Sequence, residues 1–169
     1  SPRGFLAPSD FQSMGFGLPA AIGASLAEPA RPVVALVGDG GIAMCGLELV
    51  TAVRERVSLT VIVFNDGQLG LIRDQQLREH GRTHAVELGG LELSALAAAT
   101  GADYLLFGND GEARLGEAVG NGRVTLVEVR LADSLAARAG HLSSYLKADA
   151  RRVLSPRMLQ WLKRPLRGG

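Results

Sequence analysis

The chain has 169 residues, 47% of them apolar, and a formal net charge of +1. That length is enough for one domain with a real core, and the near-neutral balance excludes both a disordered segment and a strongly basic nucleic-acid surface. Cys45 is the one cysteine, which rules out an intrachain disulfide and fits a reducing, cytoplasmic setting; no apolar run approaches the length of a membrane span.

In chain order, residues 14–27 are rich in Gly and Ala around Pro19 and predict a closely packed helix. The β-branched run Val33-Val34-Ala35-Leu36-Val37 predicts a strand, closed by a turn at residues 38–41. Apolar positions at helical spacing begin again at Gly46 and run through Val53. Leu59 to Phe64 is a second apolar strand, followed by a Gly67/Gly70 segment and a charged helix to about Glu79. Alanine-rich Ser94–Thr100 predicts a helix stopped by Gly101. Residues 103–107, 112–119 and 124–129 then read as strand, helix and strand. Continuous apolar strands alternating with helices predict an α/β fold: a three-layer, doubly wound, mostly parallel sheet with helices on both faces. No repeat or low-complexity linker interrupts it, so residues 1–169 read as one domain, with 142–169 as a basic amphipathic extension.

The chemistry lies at the ends of the first two strands. Gly38-Asp39-Gly40 closes one and Asn65-Asp66 closes the other, with an amphipathic stretch between. Ligands of open parallel sheets bind at the carboxyl ends of strands, so two acidic side chains delivered there point to a hard cation. Magnesium takes about six oxygens and commonly draws several from substrate phosphates. Asp39 and Asp66 supply carboxylates, and the Gln68 carbonyl can turn back after Gly67. Gly40 and Gly41 lack side chains, so their N–H groups can approach a diphosphate. Either acidic turn alone is an ordinary turn signal; their joint placement after neighbouring strands is what carries the reading.

This constellation resembles the cofactor motif of thiamine-diphosphate enzymes, a Gly-Asp-Gly triplet followed at this spacing by paired asparagines. Residues 14–24, Met-Gly-Phe-Gly-Leu-Pro-Ala-Ala-Ile-Gly-Ala, resemble the segment before that triplet in the acetolactate-synthase branch. Glu48-Leu49-Val50-Thr51-Ala52 is similar to its E-L-x-T-A helix, and Gly70-Leu71-Ile72-Arg73 to the stretch beyond the asparagines, as in glyoxylate carboligase. The resemblance covers about residues 10–80 closely and 90–130 more loosely. It implies the thiamine-diphosphate-binding fold, with thiamine diphosphate and Mg2+ as cofactors.

Position by position, the resemblance implies that Met14 is the apolar residue beneath the bent cofactor and that the Gln12 carbonyl accepts the 4′-amino hydrogen bond. It implies that Asp39, Asp66 and the Gln68 carbonyl are metal ligands. Gly38, Gly40 and Gly41 then belong to the diphosphate turn, and Leu71 lies near the thiazolium and substrate. It also implies a decarboxylase or carboligase acting on a small 2-oxo acid, in a homo-oligomer. The activating glutamate of the family sits on a separate pyrimidine-binding domain, on the same or another chain. No catalytic residue is therefore expected here, and Glu48 is not that glutamate.

Two departures matter. Asp66 stands where the family usually has asparagine, which keeps an oxygen ligand but adds charge beside the diphosphate. Gln75 stands where branched-chain acetolactate synthases place a tryptophan, which argues against that biosynthetic enzyme and leaves an acetolactate-synthase-like relative. His80, His84 and His141, Arg73 and Arg78, and Cys45 read as ordinary surface or packing residues. For the tail, docking against the domain or a neighbouring subunit is favoured over a membrane surface. Two alternatives stay open: a Rossmann-type nucleotide module, which lacks its G-x-G-x-x-G here, and a non-catalytic assembly domain that keeps only the fold.

Overall fold

The strands of the computed structural model, which describes residues 4–8 and 11–131, all run parallel in the order β1-β2-β4-β3. They are β1 (Val33–Gly38), β2 (Leu59–Asn65), β3 (Asp103–Leu106) and β4 (Val124–Arg130). Helix α1 (Gly17–Ala27) precedes β1. Between β1 and β2 lie α2 (Asp39–Cys45), a 3-10 turn (Gly46–Glu48) and α3 (Leu49–Arg54). Helices α4 (Gly70–His80) and α5 (Leu93–Thr100) link β2 to β3, and α6 (Gly111–Ala118) links β3 to β4. The last strand thus inserts between the second and third.

Each predicted element down to β4 is present, with shifts at the ends that have local causes. The first helix begins at Gly17, three residues later than the pattern predicts, because Gly15 takes a left-handed φ of +82° that a helix cannot contain. The predicted helix from Gly46 opens as a 3-10 turn before α3. Gly101 does end α5, with a left-handed φ of +79°. The extension at 142–169 and His141 lie outside the described residues.

Side-chain alternation divides the core into two clusters. On one face, Leu18 and Ile22 of α1, Ile42 of α2, Leu49 and Ala52 of α3 and Leu93 and Ala97 of α5 pack on Ala35, Leu59, Val61, Val63, Val124 and Leu126. On the other, Leu115 of α6 packs on Ile62, Phe64, Leu105, Val127 and Val129. Burying each large aliphatic side chain completely, as at Leu18, Leu49, Leu59 and Leu126, contributes roughly 1.5–3 kcal/mol. Helices lie on both faces, as expected, but unevenly. Among the described residues, α6 alone supplies the second cluster's helix, and Leu36 on that face is 44% exposed.

Candidate functional site

Register sets Gly38 opposite Phe64, so the turns that follow β1 and β2 lie side by side. Asp39 opens α2 and is 5% exposed. Its Oδ1 accepts the Gly40 N–H at 2.8 Å and its Oδ2 the Gly67 N–H at 2.7 Å. The second bond ties the end of one strand to the turn beyond its neighbour, so two chain segments hold this carboxylate. Asp66 folds back on its own turn, its Oδ1 accepting from the Gln68 N–H at 3.2 Å. Asn65 Oδ1 also accepts from Gly67 N–H, at 3.1 Å.

Gln68 is held from outside the turn. Leu69 N–H donates to the Val86 carbonyl at 2.7 Å and Leu88 N–H to the Gly67 carbonyl at 3.0 Å, bracketing an antiparallel bridge between Gln68 and Glu87. In such a bridge the central residue's own N–H and C=O point away from the partner strand. The Gln68 carbonyl is therefore turned to the side where its N–H meets Asp66, the orientation a metal ligand there requires.

As it stands, this acidic pair is unfavourable. Burial lifts the Asp39 carboxyl above the ordinary 3.8 and the Asp66 charge lifts it further, with backbone N–H groups offsetting only part. Burial also raises Asp66, against the opposing pull of the Gln68 N–H and the Arg73 guanidinium. A divalent cation between them would restore the lost solvation and cancel the repulsion. Among the described residues no third His, Cys, Asp or Glu joins them. Such an ion would take further oxygens, as magnesium commonly does from phosphates.

Residues 1–129 match the family described as thiamine pyrophosphate enzyme, C-terminal TPP binding domain. The chain belongs to this family. Acetolactate synthase of Bacillus subtilis (strain 168) is 39% identical over 104 residues, covering 62% of this chain and 18% of that protein. Sulfoacetaldehyde acetyltransferase of Alcaligenes xylosoxydans xylosoxydans is 40% identical over 106 residues, again 62% and 18%. The solved 4-hydroxybenzoylformate decarboxylase of Rhodococcus jostii RHA1 superposes with a TM-score of 0.65 at 32% identity, covering 69% of this chain and 23% of that one. Benzoylformate decarboxylase of Polynucleobacter necessarius gives 0.66 at 25% identity, covering 72% and 24%. The chain thus spans about a fifth of the length of the curated relatives it matches. It is a thiamine diphosphate (pyrophosphate) binding domain, and the Rossmann alternative is set aside.

The residues present fit that cofactor's polar end. A Cβ at Gly40 would sit 2.8 Å from Met14 Cε and 3.0 Å from Leu69 Cδ2, so the tips of these two side chains pack closely against the glycine. Met14, half exposed, is thereby brought beside the acidic turn from a segment 25 residues upstream of Asp39. Gly41 lies against the Gly15 backbone nitrogen, and Gly38 is extended at φ −89° and ψ 161°. Gln12 is exposed in the left-handed region at φ +49°, a strained position for a residue with a Cβ. Leu71 is 50% exposed on the first turn of α4.

Some expectations need adjusting. The Gly40 N–H is already used by Asp39 Oδ1 and so is not free to donate to a diphosphate as expected. Arg73 is no solvated surface group: its side chain is 14% exposed, with Nη1 on Gln68 Oε1 at 2.6 Å and Nη2 on Asp74 Oδ1 at 3.0 Å. It braces the turn and offsets part of the rise that burial causes at Asp66. Arg78, His80 and His84 are exposed, as expected of surface residues. Cys45 donates to the Gly41 carbonyl at 3.1 Å, and burial, then Glu48, push its thiol up, which fits packing and not nucleophilic attack. A pocket of about 150 Å³ lies at the amino ends of the strands near Arg56 and Arg123, away from Asp39.

Sequence reasoning missed Gly70. A Cβ there would fall 2.7 Å from Asp66 Oδ2, a contact that a run of residues does not show. Gly70→Ala should therefore displace the Asp66 carboxylate and weaken magnesium-dependent cofactor binding about tenfold or more. Alanine is the better helix former by about 1 kcal/mol, so the melting temperature should hold. Calorimetry paired with thermal melts checks this; unchanged affinity would mean Asp66 has room to move.

Proposed function

We propose that this chain is the pyrophosphate-binding part of a magnesium-dependent 2-oxo acid decarboxylase or carboligase of the acetolactate-synthase-like branch. The observation that carries this reading is the pairing of Asp39 and Asp66 at adjacent strand ends, both raised by burial. Asp39, Asp66 and the Gln68 carbonyl would hold the ion, and Gly40 and Gly41 would leave space for the diphosphate. Met14 and Leu71 would form the apolar support beside it, and the Gln12 carbonyl would accept from the aminopyrimidine. The cofactor, once bound, supplies the carbanion chemistry that breaks the bond to the departing carboxylate. The chain's own part is to hold the ion and orient the diphosphate. The group that activates the cofactor would come from a pyrimidine-binding domain, of the same or another chain. This chain alone would be silent, and the working enzyme would be an oligomer. A cytoplasmic setting is part of the same proposal, supported by the single cysteine.

The test is calorimetric titration of thiamine diphosphate with magnesium, repeated with EDTA and with Asp39→Ala. Binding lost in both controls supports the reading. Absence of binding even with a pyrimidine-domain partner present would favour the assembly-domain alternative. Binding regained in Asp66→Asn would locate the defect at that side chain.

A further inference from the structure

A buried carboxylate lies two strands away from Asp39 and takes no part in the reading so far. Glu128, at the carboxyl end of β4, is 2% exposed. Its Oε1 accepts from Asn65 Nδ2 at 2.9 Å and from Arg130 Nε at 2.8 Å, and its Oε2 accepts from the Tyr104 hydroxyl. Residues two apart in a strand share a face, so Asn65, Glu128 and Tyr104 continue the face of Val63, Leu126 and the α5 contacts. With Asp39 just beyond β1, the polar side chains follow the strand order β1-β2-β4-β3. The apolar face of the sheet ends in a polar row.

The row is joined by hydrogen bonds as far as Asp39. A carboxylate accepts only, so Glu128 commits the amide nitrogen of Asn65 to itself and turns Asn65 Oδ1 outward. That oxygen accepts the Gly67 N–H, the same N–H that Asp39 Oδ2 takes at 2.7 Å. Gly67 is the pivot between Asp66 and Gln68. Burial works to raise the Glu128 carboxyl, and the donors Arg130, Tyr104 and Asn65 more than reverse it, so it stays ionised at neutral pH. Burial and then the bond to Glu128 push Tyr104 up to about 12, which keeps it a donor.

We infer that Glu128 is a positioning residue, which fixes the orientation of Asn65 and through it the Gly67 turn that sets Asp66 and the Gln68 carbonyl against Asp39. Its bearing on the ion rests on the function proposed above; the hydrogen-bond chain does not. Glu128→Leu removes every acceptor while keeping bulk. Glu128→Gln keeps an oxygen for Asn65 and Arg130 and lets its amide donate to the Tyr104 oxygen. Asn65→Asp breaks the link from the other side without leaving a cavity.

Two readouts on the whole chain separate positioning from simple support of the fold. The first is amide hydrogen exchange at Gly67, taken relative to the core amides of Val61 and Leu126. The second is thiamine diphosphate affinity in magnesium. In Glu128→Leu and Asn65→Asp, relative exchange at Gly67 should quicken about tenfold or more, and affinity should fall about 10–100-fold, the range for groups that orient ligands. Glu128→Gln should stay close to wild type in both. Unchanged relative exchange at Gly67 in Glu128→Leu, with only a lower melting temperature, would overturn the inference; if that variant does not fold, the same result in Asn65→Asp would do so. Should the wild-type chain bind no cofactor, the function proposed above fails on the second readout, and the first still judges Glu128.

Discussion

Asp39→Ala is expected to abolish magnesium-dependent binding of thiamine diphosphate, with a loss beyond a hundredfold, and to loosen the junction between β1 and β2. The first effect follows from removing one of two carboxylates from a site that has no third acidic or imidazole donor among the described residues. The second follows because Asp39 is the acceptor for both Gly40 and Gly67. A hydrogen bond to a charged group contributes about 1.5–3 kcal/mol. Relief of the buried charge offsets part of that loss, so the melting temperature of the metal-free chain should fall only modestly. Asp39→Asn makes the comparison sharper. It keeps one acceptor oxygen and nearly the same volume, so it should melt closer to wild type while still losing the ion. Wild-type affinity in Asp39→Ala would place the cation elsewhere.

Metal-free, this domain should lose stability as pH rises through the raised values of Asp39 and Asp66, and Asp66→Asn should reduce that loss. The sign follows from the direction of both shifts. Asp39 and Asp66 are raised above 3.8 in the folded chain, so their protonated forms are favoured by folding. Their contribution is full below the unfolded pKa and disappears as pH climbs through the raised folded values. Glu128 has the opposite sign: lowered below 4.5, it stabilises above that pH and is lost only as pH falls further. The loss as pH rises above the ordinary carboxylate range therefore belongs to the aspartate pair, because Glu128 acts in the opposite sense. Asp66→Asn leaves Asp39 without its repulsive neighbour and should raise the neutral-pH melting temperature by about 2–4 °C, the shift that 1 kcal/mol produces at this length. Millimolar magnesium should flatten the wild-type profile in the same way. Thermal melts across pH, with and without magnesium, read both. A wild-type profile that rises with pH would show that the two carboxylates do not repel in the folded chain.

The fold was legible because its signals are local. Val33–Val37 and Leu59–Phe64 are β-branched runs with no polar face, which is how strands covered on both sides read. Gly101 marked the end of α5 because a left-handed residue there needs no Cβ. The error at α1 has the same origin: an apolar pattern runs through Gly15, but one dihedral angle stops the helix. The acidic turns were legible for a similar reason, since each sits at a strand end and parallel neighbours put those ends together.

By itself, then, the sequence determined the alternation of elements, the placement of Asp39 and Asp66 and the family. Propensity, period and turn chemistry depend on residues close along the chain. Only the tertiary structure decided that β4 lies beside β2, and with it that Glu128 reaches Asn65 across a sequence separation of 63 residues. It alone set Met14 over Gly40, Gly70 against Asp66 and Arg73 onto Gln68. Those contacts depend on strand order and on distances of a few ångströms between segments. No pattern along one chain carries that information, because the cost of a misplaced carboxylate or an added Cβ is set by what packing brings next to it.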